Sequence, residues 1–326
     1  MSSIPCSGRS WSRSIGPIAS VTLVLLAGCV SSAPGKDTGT GGSGGTTSSS
    51  STLPSSTTTS SSSATASSGA VTTNSSSSSS GAGGAASGCS GLPLCDGFES
   101  DTAGSPPGAS LWSLSAALGC STVPAGAITV DSTVAHSGTN SVKVEGQPNS
   151  CAIWFGNSSA FANLGTSFFV RFYVRFGAAP GQGHGNFTAM RDSSISTTPE
   201  DQADTSLGII QEDLIWNRRS DDASLPDQDP VGLAATQAPP AANTWSCFEY
   251  GIDETTGAIQ MWVDSKEITG MEENGTAVQG ISQQWLSKPW HPTFADVRFG
   301  FVSFGYPAMN VWYDDIAVGK QRIGCM

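Results

Sequence analysis

The sequence predicts an all-β fold, a two-sheet antiparallel sandwich or jelly roll. Short segments rich in Val, Ile, Phe, Trp and Tyr recur between residues 127 and 318. Clusters of Gly, Pro, Asn and Ser separate them, and only one stretch hints at helix. Many short strands with few helices bury their apolar faces by packing sheet on sheet.

The predicted strands are AITVDST (127–133), SVKVEG (141–146), CAIWF (151–155), FFVRFYVRF (168–176), SLGII (206–210), WSCFEYGID (245–253), AIQMWVD (258–264), DVRFGFVSF (296–304) and NVWYDDIAV (310–318). Glu254-Thr255-Thr256-Gly257 joins two of them as a tight hairpin. GISQQWL (280–286) carries the one helical hint, and residues 192–244, rich in Asp, Pro and Ser, read largely as loop. Loops of that length in a compact domain are often functional.

Side chains alternate faces along a strand. In FFVRFYVRF the even positions, Phe168 to Phe176, are apolar, while Phe169, Arg171, Tyr173 and Arg175 share the other face. WSCFEYGID turns Phe248, Tyr250 and Ile252 one way and Cys247, Glu249 and Asp253 the other. AIQMWVD turns Ile259, Met261 and Val263 inward and Gln260, Trp262 and Asp264 outward. Hairpin pairing then groups Glu249, Gln260 and Trp262 on one open face, of the same character as Arg171 and Tyr173. Flat aromatics cover the apolar side of a sugar ring, and Arg, Glu and Gln bind its hydroxyls and carboxylates. These five residues are therefore expected to bind a polysaccharide. A solvated sheet face with Arg–Glu pairs would give the same pattern.

Composition divides the chain. Residues 1–28 hold Arg9 and Arg13, then the apolar run VTLVLLAG, an export-signal pattern too short to span a membrane. Leu26-Ala27-Gly28-Cys29 resembles a bacterial lipoprotein signal, which implies lipidation of Cys29. Val30 follows it, and known sorting rules then favour the outer membrane where the cell has one; the alternative is a plain secreted, extracellular protein in which Cys29 is incidental. Residues 29–88 are a Ser/Thr/Gly-rich linker too polar to bury a core, reaching about 40 Å on average as a flexible tether. Residues 89–326 form the folded domain, expected to act as a monomer at the cell surface. The formal charge of -12 and the lack of a basic stripe argue against nucleic acid. Membrane contact is expected through the lipid anchor only.

With Cys6 in the signal and Cys29 lipidated, Cys89, Cys95, Cys120, Cys151, Cys247 and Cys325 remain. An even number in an exported domain implies disulfides. Cys120–Cys151 is the preferred local pair, since the turn-rich stretch between them suits a hairpin. No CxxC pair supports zinc.

Three distant pieces, CDGFES (95–100), HSGTNSVKV (136–144) and YDDIAV (313–318), resemble the calcium site of carbohydrate-active jelly rolls. That resemblance implies Glu99, Ser137, Asn140 and Asp314 as ligands of a structural Ca2+, a hard cation that takes carboxylates and carbonyls. Alternation puts Asp314 at the core edge and points Asp315 the other way. His136 and His291 read as structural. The alternative is a plain Ser-Gly turn beside an edge aspartate.

Together with HGNFTAMR, LIWNRRSDDASLP, NTWSCFEY, QMWVD and DDIAVGKQRIGC, these phrases resemble the core domain of the fungal cellulose-induced protein family and its bacterial relatives, over most of 92–325. The resemblance implies a concanavalin A-like jelly roll, one calcium and a fold shared with alginate and glucuronan lyases. Such a lyase neutralises the uronate carboxylate, removes the C5 proton and protonates the leaving oxygen. Lyases of this shape are similar in using Arg and Gln for the first task and His or Tyr for the others. The candidates here are His184, Arg191, Gln211, Arg175 and Tyr306. Each has a plainer reading, such as a loop histidine for His184 or a packing residue for Tyr306. The paired carboxylates of an E-x-D-x-x-E glycosidase and a G-x-S-x-G elbow are both absent from residues 89–326. The alternatives to a uronate-directed lyase are a non-catalytic carbohydrate-binding module on a lipid-anchored stalk, or an adhesive surface domain.

Overall fold

The structure is a computed structural model and describes residues 89–196, 200–305 and 307–326. The export signal, Cys29, the linker and Tyr306 lie outside the described residues.

The strands in chain order are β1 (Leu94–Asp96), β2 (Ser113–Leu118), β3 (Ile128–Asp131), β4 (Ser141–Glu145), β5 (Cys151–Asn157), β6 (Ser167–Phe176), β7 (His184–Arg191), β8 (Asp204–Ile210), β9 (Asp213–Arg218), β10 (Ala223–Leu225), β11 (Trp245–Asp253), β12 (Ala258–Val263), β13 (Lys266–Glu267), β14 (Val297–Phe304) and β15 (Asn310–Gly319). They form two antiparallel sheets. An 8-stranded sheet runs β13-β12-β11-β6-β15-β4-β3, with β1 also paired to β15. A 7-stranded sheet runs β10-β9-β8-β7-β14-β5-β2. The two form the expected all-β, jelly-roll sandwich.

The core lies between the sheets and is built by alternation. Phe168, Val170, Phe172, Val174 and Phe176 of β6 are fully buried. Phe172 sits 5.6 Å from Phe248 and 5.1 Å from Phe299, ring centroid to ring centroid, so it joins one sheet to the other. The Tyr313 hydroxyl, also buried, lies 2.6 Å from the Phe187 carbonyl and 2.5 Å from that of Gly300. A buried hydroxyl needs such an acceptor.

The predicted strands are present, and the Glu254–Gly257 turn forms with Asp253 Oδ1 accepting from the Thr255 and Thr256 amides. Strands β1, β2, β7, β9, β10 and β13 escape the sequence reading because they are very short or because Gly, Asn, Asp, Ser or charged residues interrupt their apolar pattern. Besides the expected strand β8, the stretch read largely as loop holds β9, β10 and a short helix α1 (Pro230–Ala235), capped by Asp229. GISQQWL yields only a 3-10 turn over Trp285–Ser287. The disulfides are Cys89–Cys95, the expected Cys120–Cys151, and Cys247–Cys325.

Candidate functional site

The Arg/Tyr face of β6 is not an open groove. Arg171 is 2% exposed and Glu249, its partner across β11, is 0% exposed. The chain's own last residues cover them. Glu249 Oε2 accepts from Arg322 Nε (3.1 Å), and Oε1 accepts from the amides of Ile323 (2.5 Å) and Gly324 (3.1 Å). The Arg322 guanidinium lies over the Trp262 ring at 4.2 Å. Tyr173 donates to the Met326 carbonyl at 2.8 Å, and Arg171 to that of Gly324 at 3.4 Å. Cys247–Cys325 fastens the segment down. Alternation gives the face correctly but not what lies on it, and the covering piece comes from the end of the chain. Gln260 alone of the five expected sugar-binding residues is exposed, beside a separate pocket. Arg175 stays on this sheet, its guanidinium 4.8 Å over Trp312.

His184 opens β7 on the other sheet. Its neighbours across the ladder are Phe304 of β14 and Ile210 of β8. A pocket of ≈ 340 Å³ forms there, lined among others by His184, Asn186, Asn217, Arg219, Asp222 and Phe304. His184 Nε2 lies 3.1 Å from Asn186 Oδ1. Donation from Nε2 leaves Nδ1 as the free base. Burial, with the Arg219 charge nearby, holds the imidazole below its ordinary value, against the opposing pull of Asn186. It is neutral at neutral pH and able to accept a proton. Gln211 is exposed in the β8–β9 turn, its amide donating to the Gly183 carbonyl at 2.9 Å beside His184.

Arg191 ends the same strand, seven residues on, roughly 23 Å away at strand rise. It lines a second pocket of ≈ 240 Å³ with Trp154, Asp204, Asp296 and Arg298. Arg298 binds Asp204 through both terminal nitrogens, at 3.2 and 2.5 Å. Burial still pushes the Asp204 carboxyl up, against that pairing. Thus His184 and Arg191 share a sheet but serve different pockets, and Arg175 joins neither. Asn186, Asn217 and Arg219 were missed by sequence reasoning. The signal for the last two was in LIWNRR, where they alternate with Trp216 and Arg218.

The three pieces of the expected calcium site do converge. Glu99 Oε1 accepts from the amides of Thr139 (2.9 Å) and Asn140 (3.0 Å), and Oε2 from the Thr139 hydroxyl (2.8 Å). Burial works against its charge, but these bonds hold the carboxyl below its usual range. Asn140 Nδ2 donates to the carbonyls of Phe98 (3.0 Å) and Asp101 (3.3 Å). Asp314 Oδ2 accepts from the amides of His136 (2.8 Å) and Ser137 (3.2 Å). Asp315 does not point away. A bulge between Asp314 and Ala317 breaks the alternation, and Asp315 takes φ 47. Its carboxylate meets His136 Nδ1 at 2.7 Å and the Ser137 hydroxyl at 2.9 Å. His136 in turn stacks on Tyr173, ring centroids 3.5 Å apart. Burial, then the adjacent Asp315, pushes the Asp314 carboxyl up to about 7. Two neighbouring buried carboxylates of like charge are the kind of oxygen ligand a hard cation takes. Among the described residues no three His, Cys, Asp or Glu side chains are grouped as metal ligands, so carbonyl oxygens would have to complete the shell.

A family model described as Polysacc_lyase-like, Cip1-like core domain, matches residues 97–321. A solved structure titled "Cellulose induced protein, Cip1" is 30% identical, covering 72% of this chain and 100% of that one, with a TM-score of 0.59. The binding domain of botulinum neurotoxin DC, solved with rat synaptotagmin II, is 10% identical over 71% of this chain and 48% of its own, at a TM-score of 0.41, too low to carry any inference. No curated protein matches.

Proposed function

Because the chain belongs to the Cip1-like core-domain family of polysaccharide-lyase-like proteins, we propose that it is a uronate-directed polysaccharide lyase working on the outer face of the seven-stranded sheet. The observation that carries this reading is His184, a neutral imidazole held by Asn186 in a pocket that also holds Arg219, Asn217 and Asn186 as donors. In the proposed step Arg219 and the two asparagines bind the uronate carboxylate and make the C5 proton acidic. His184 takes that proton, the C4–O bond breaks with its electrons leaving on oxygen, and a C4–C5 double bond forms. Tyr306, two residues beyond the pocket-lining Phe304, is the proposed acid that protonates the leaving oxygen. Gln211, in the turn beside His184, is assigned to substrate contact. Arg191 is placed at a distal subsite some sugar units away.

Glu99, Ser137, Asn140 and Asp314, with Asp315 added, are the proposed holders of one structural calcium. Its chemistry there is charge compensation, tying the start of the domain to β15. Cys29 is the proposed lipid attachment point, with 30–88 as the stalk; mass spectrometry of the mature N-terminal peptide tests it, an unmodified cysteine counting against it.

The decisive assay follows ultraviolet absorbance of the unsaturated uronate product when the purified chain, with calcium, meets glucuronan, alginate or pectate. A rise lost in His184→Ala supports elimination. A flat trace on every uronan defeats it and leaves a carbohydrate-binding module, testable by pull-down with insoluble wall polymers.

A further inference from the structure

The C-terminal cover ends near Trp262, and beyond it the outer face of the eight-stranded sheet is open. Phe169 of β6 lies 6.3 Å from Trp262, and past it a pocket of ≈ 330 Å³ opens. Phe169, Gly251, Asp253, Gln260, Glu272 and Glu273 are among its lining residues. The Phe169 ring packs directly over Gly251, where a Cβ would come within 2.5 Å of it, so glycine is what lets the ring lie against the sheet. Gln260 projects from β12 and is exposed.

Glu273 is the informative residue. It is 4% exposed, and its backbone pairs both ways with Ile259 at 2.9 Å, which fixes it against β12. One carboxylate oxygen, Oε1, accepts from the Gly275 amide. The other, Oε2, is buried with no hydrogen-bond partner among the described residues. A buried acceptor left unpaired is costly, and a donor arriving from a ligand removes that cost.

The lining contains no Lys, Arg or His, so nothing there compensates an anion. What remains is an aromatic face beside an unshared carboxylate oxygen and an exposed amide. That set fits the apolar side of a pyranose ring with its hydroxyls as donors. The volume is at the small end for ligand sites, enough for a short stretch of chain.

We propose that this pocket binds a neutral saccharide, with the sugar ring on Phe169 and hydroxyls bonded to Glu273 and Gln260. It lies on the opposite sheet from His184 and does not depend on whether His184 performs elimination. The two faces would hold different polymers, an acidic one and a neutral one.

Calorimetric titration of the full chain with cellohexaose and xylohexaose tests this, with glucuronan oligosaccharides as the anionic probe. At least one neutral probe should bind, and Glu273→Gln should weaken it about tenfold, the worth of one hydrogen bond to a charged group. Phe169→Ala should abolish it, and His184→Ala should leave it unchanged. Gln260→Ala alters only an exposed side chain, so its loss of affinity is free of any folding defect. The proposal is overturned if neither neutral probe binds, if Gln260→Ala and Glu273→Gln both bind as the parent does, or if neutral-sugar binding is lost only with His184.

Discussion

His184 and Arg175 stand on the outer faces of opposite sheets, His184 beside Phe304 on β7 and Arg175 over Trp312 on β6. The whole aromatic core lies between them. A sugar held at one cannot touch the other. Removing His184 should therefore lower kcat on a uronan by about 10²–10⁴, the usual worth of a positioned general base. Arg175→Ala should stay within about twofold of the parent, since the two sites share no contacts. Initial rates of unsaturated product formation measure both. Equal losses from the two variants would contradict this placement.

The pH profile follows from the same pocket. A general base works in its neutral form, so activity falls as pH drops through its pKa. Burial holds His184 below its ordinary value. The acid limb of kcat/KM should then lie below about 6.5, the unperturbed histidine value. Asn186 supports the protonated form by hydrogen bonding. Asn186→Ala should move the limb further toward acid. A limb at or above the ordinary histidine value would mean a different base.

How far the sequence carries is visible in three residues. Phe172 was legible, because alternation within FFVRFYVRF marks it as core, and it is fully buried. Arg171 was half legible. Its face was right, but the carbonyl it meets belongs to Gly324, more than a hundred residues away, and no local pattern encodes that contact. Asp315 was misread because a bulge breaks the two-residue period that placed it, and bulges leave little trace in sequence. The ladder that gathers His184, Asn186 and Asn217 was hidden for another reason. Its strands carry polar residues outward and glycine or asparagine within, so they resemble loops.

The cover over β6 makes a separate prediction about stability. Cys247 and Cys325 are 78 residues apart, and opening such a loop costs about 2–5 kcal/mol. Cys325→Ser also frees the segment that supplies Arg322, Ile323 and Gly324 to the buried Glu249 carboxylate. Urea unfolding should show a loss of that order. Any activity at the His184 face should persist at permissive temperature. A folded Cys325→Ser variant with lost turnover would instead put the β6 face back into the substrate site.

The calcium reading is tested by a sign. Asp314 and Asp315 are adjacent, buried and of like charge, an arrangement that costs free energy unless a cation or a proton relieves it. Calcium should therefore raise the melting temperature of the full chain, and a chelator should lower it. At a hundred times its dissociation constant a bound ion contributes about 2.7 kcal/mol. Asp314→Asn keeps an oxygen for the His136 and Ser137 amides while removing one of the two charges. Without calcium, the variant should melt at or above the chelated parent. With calcium, it should gain much less than the parent does. A plain turn beside an edge aspartate gives neither result, since calcium would leave both proteins unchanged and the substitution would only weaken the bonds to the two amides.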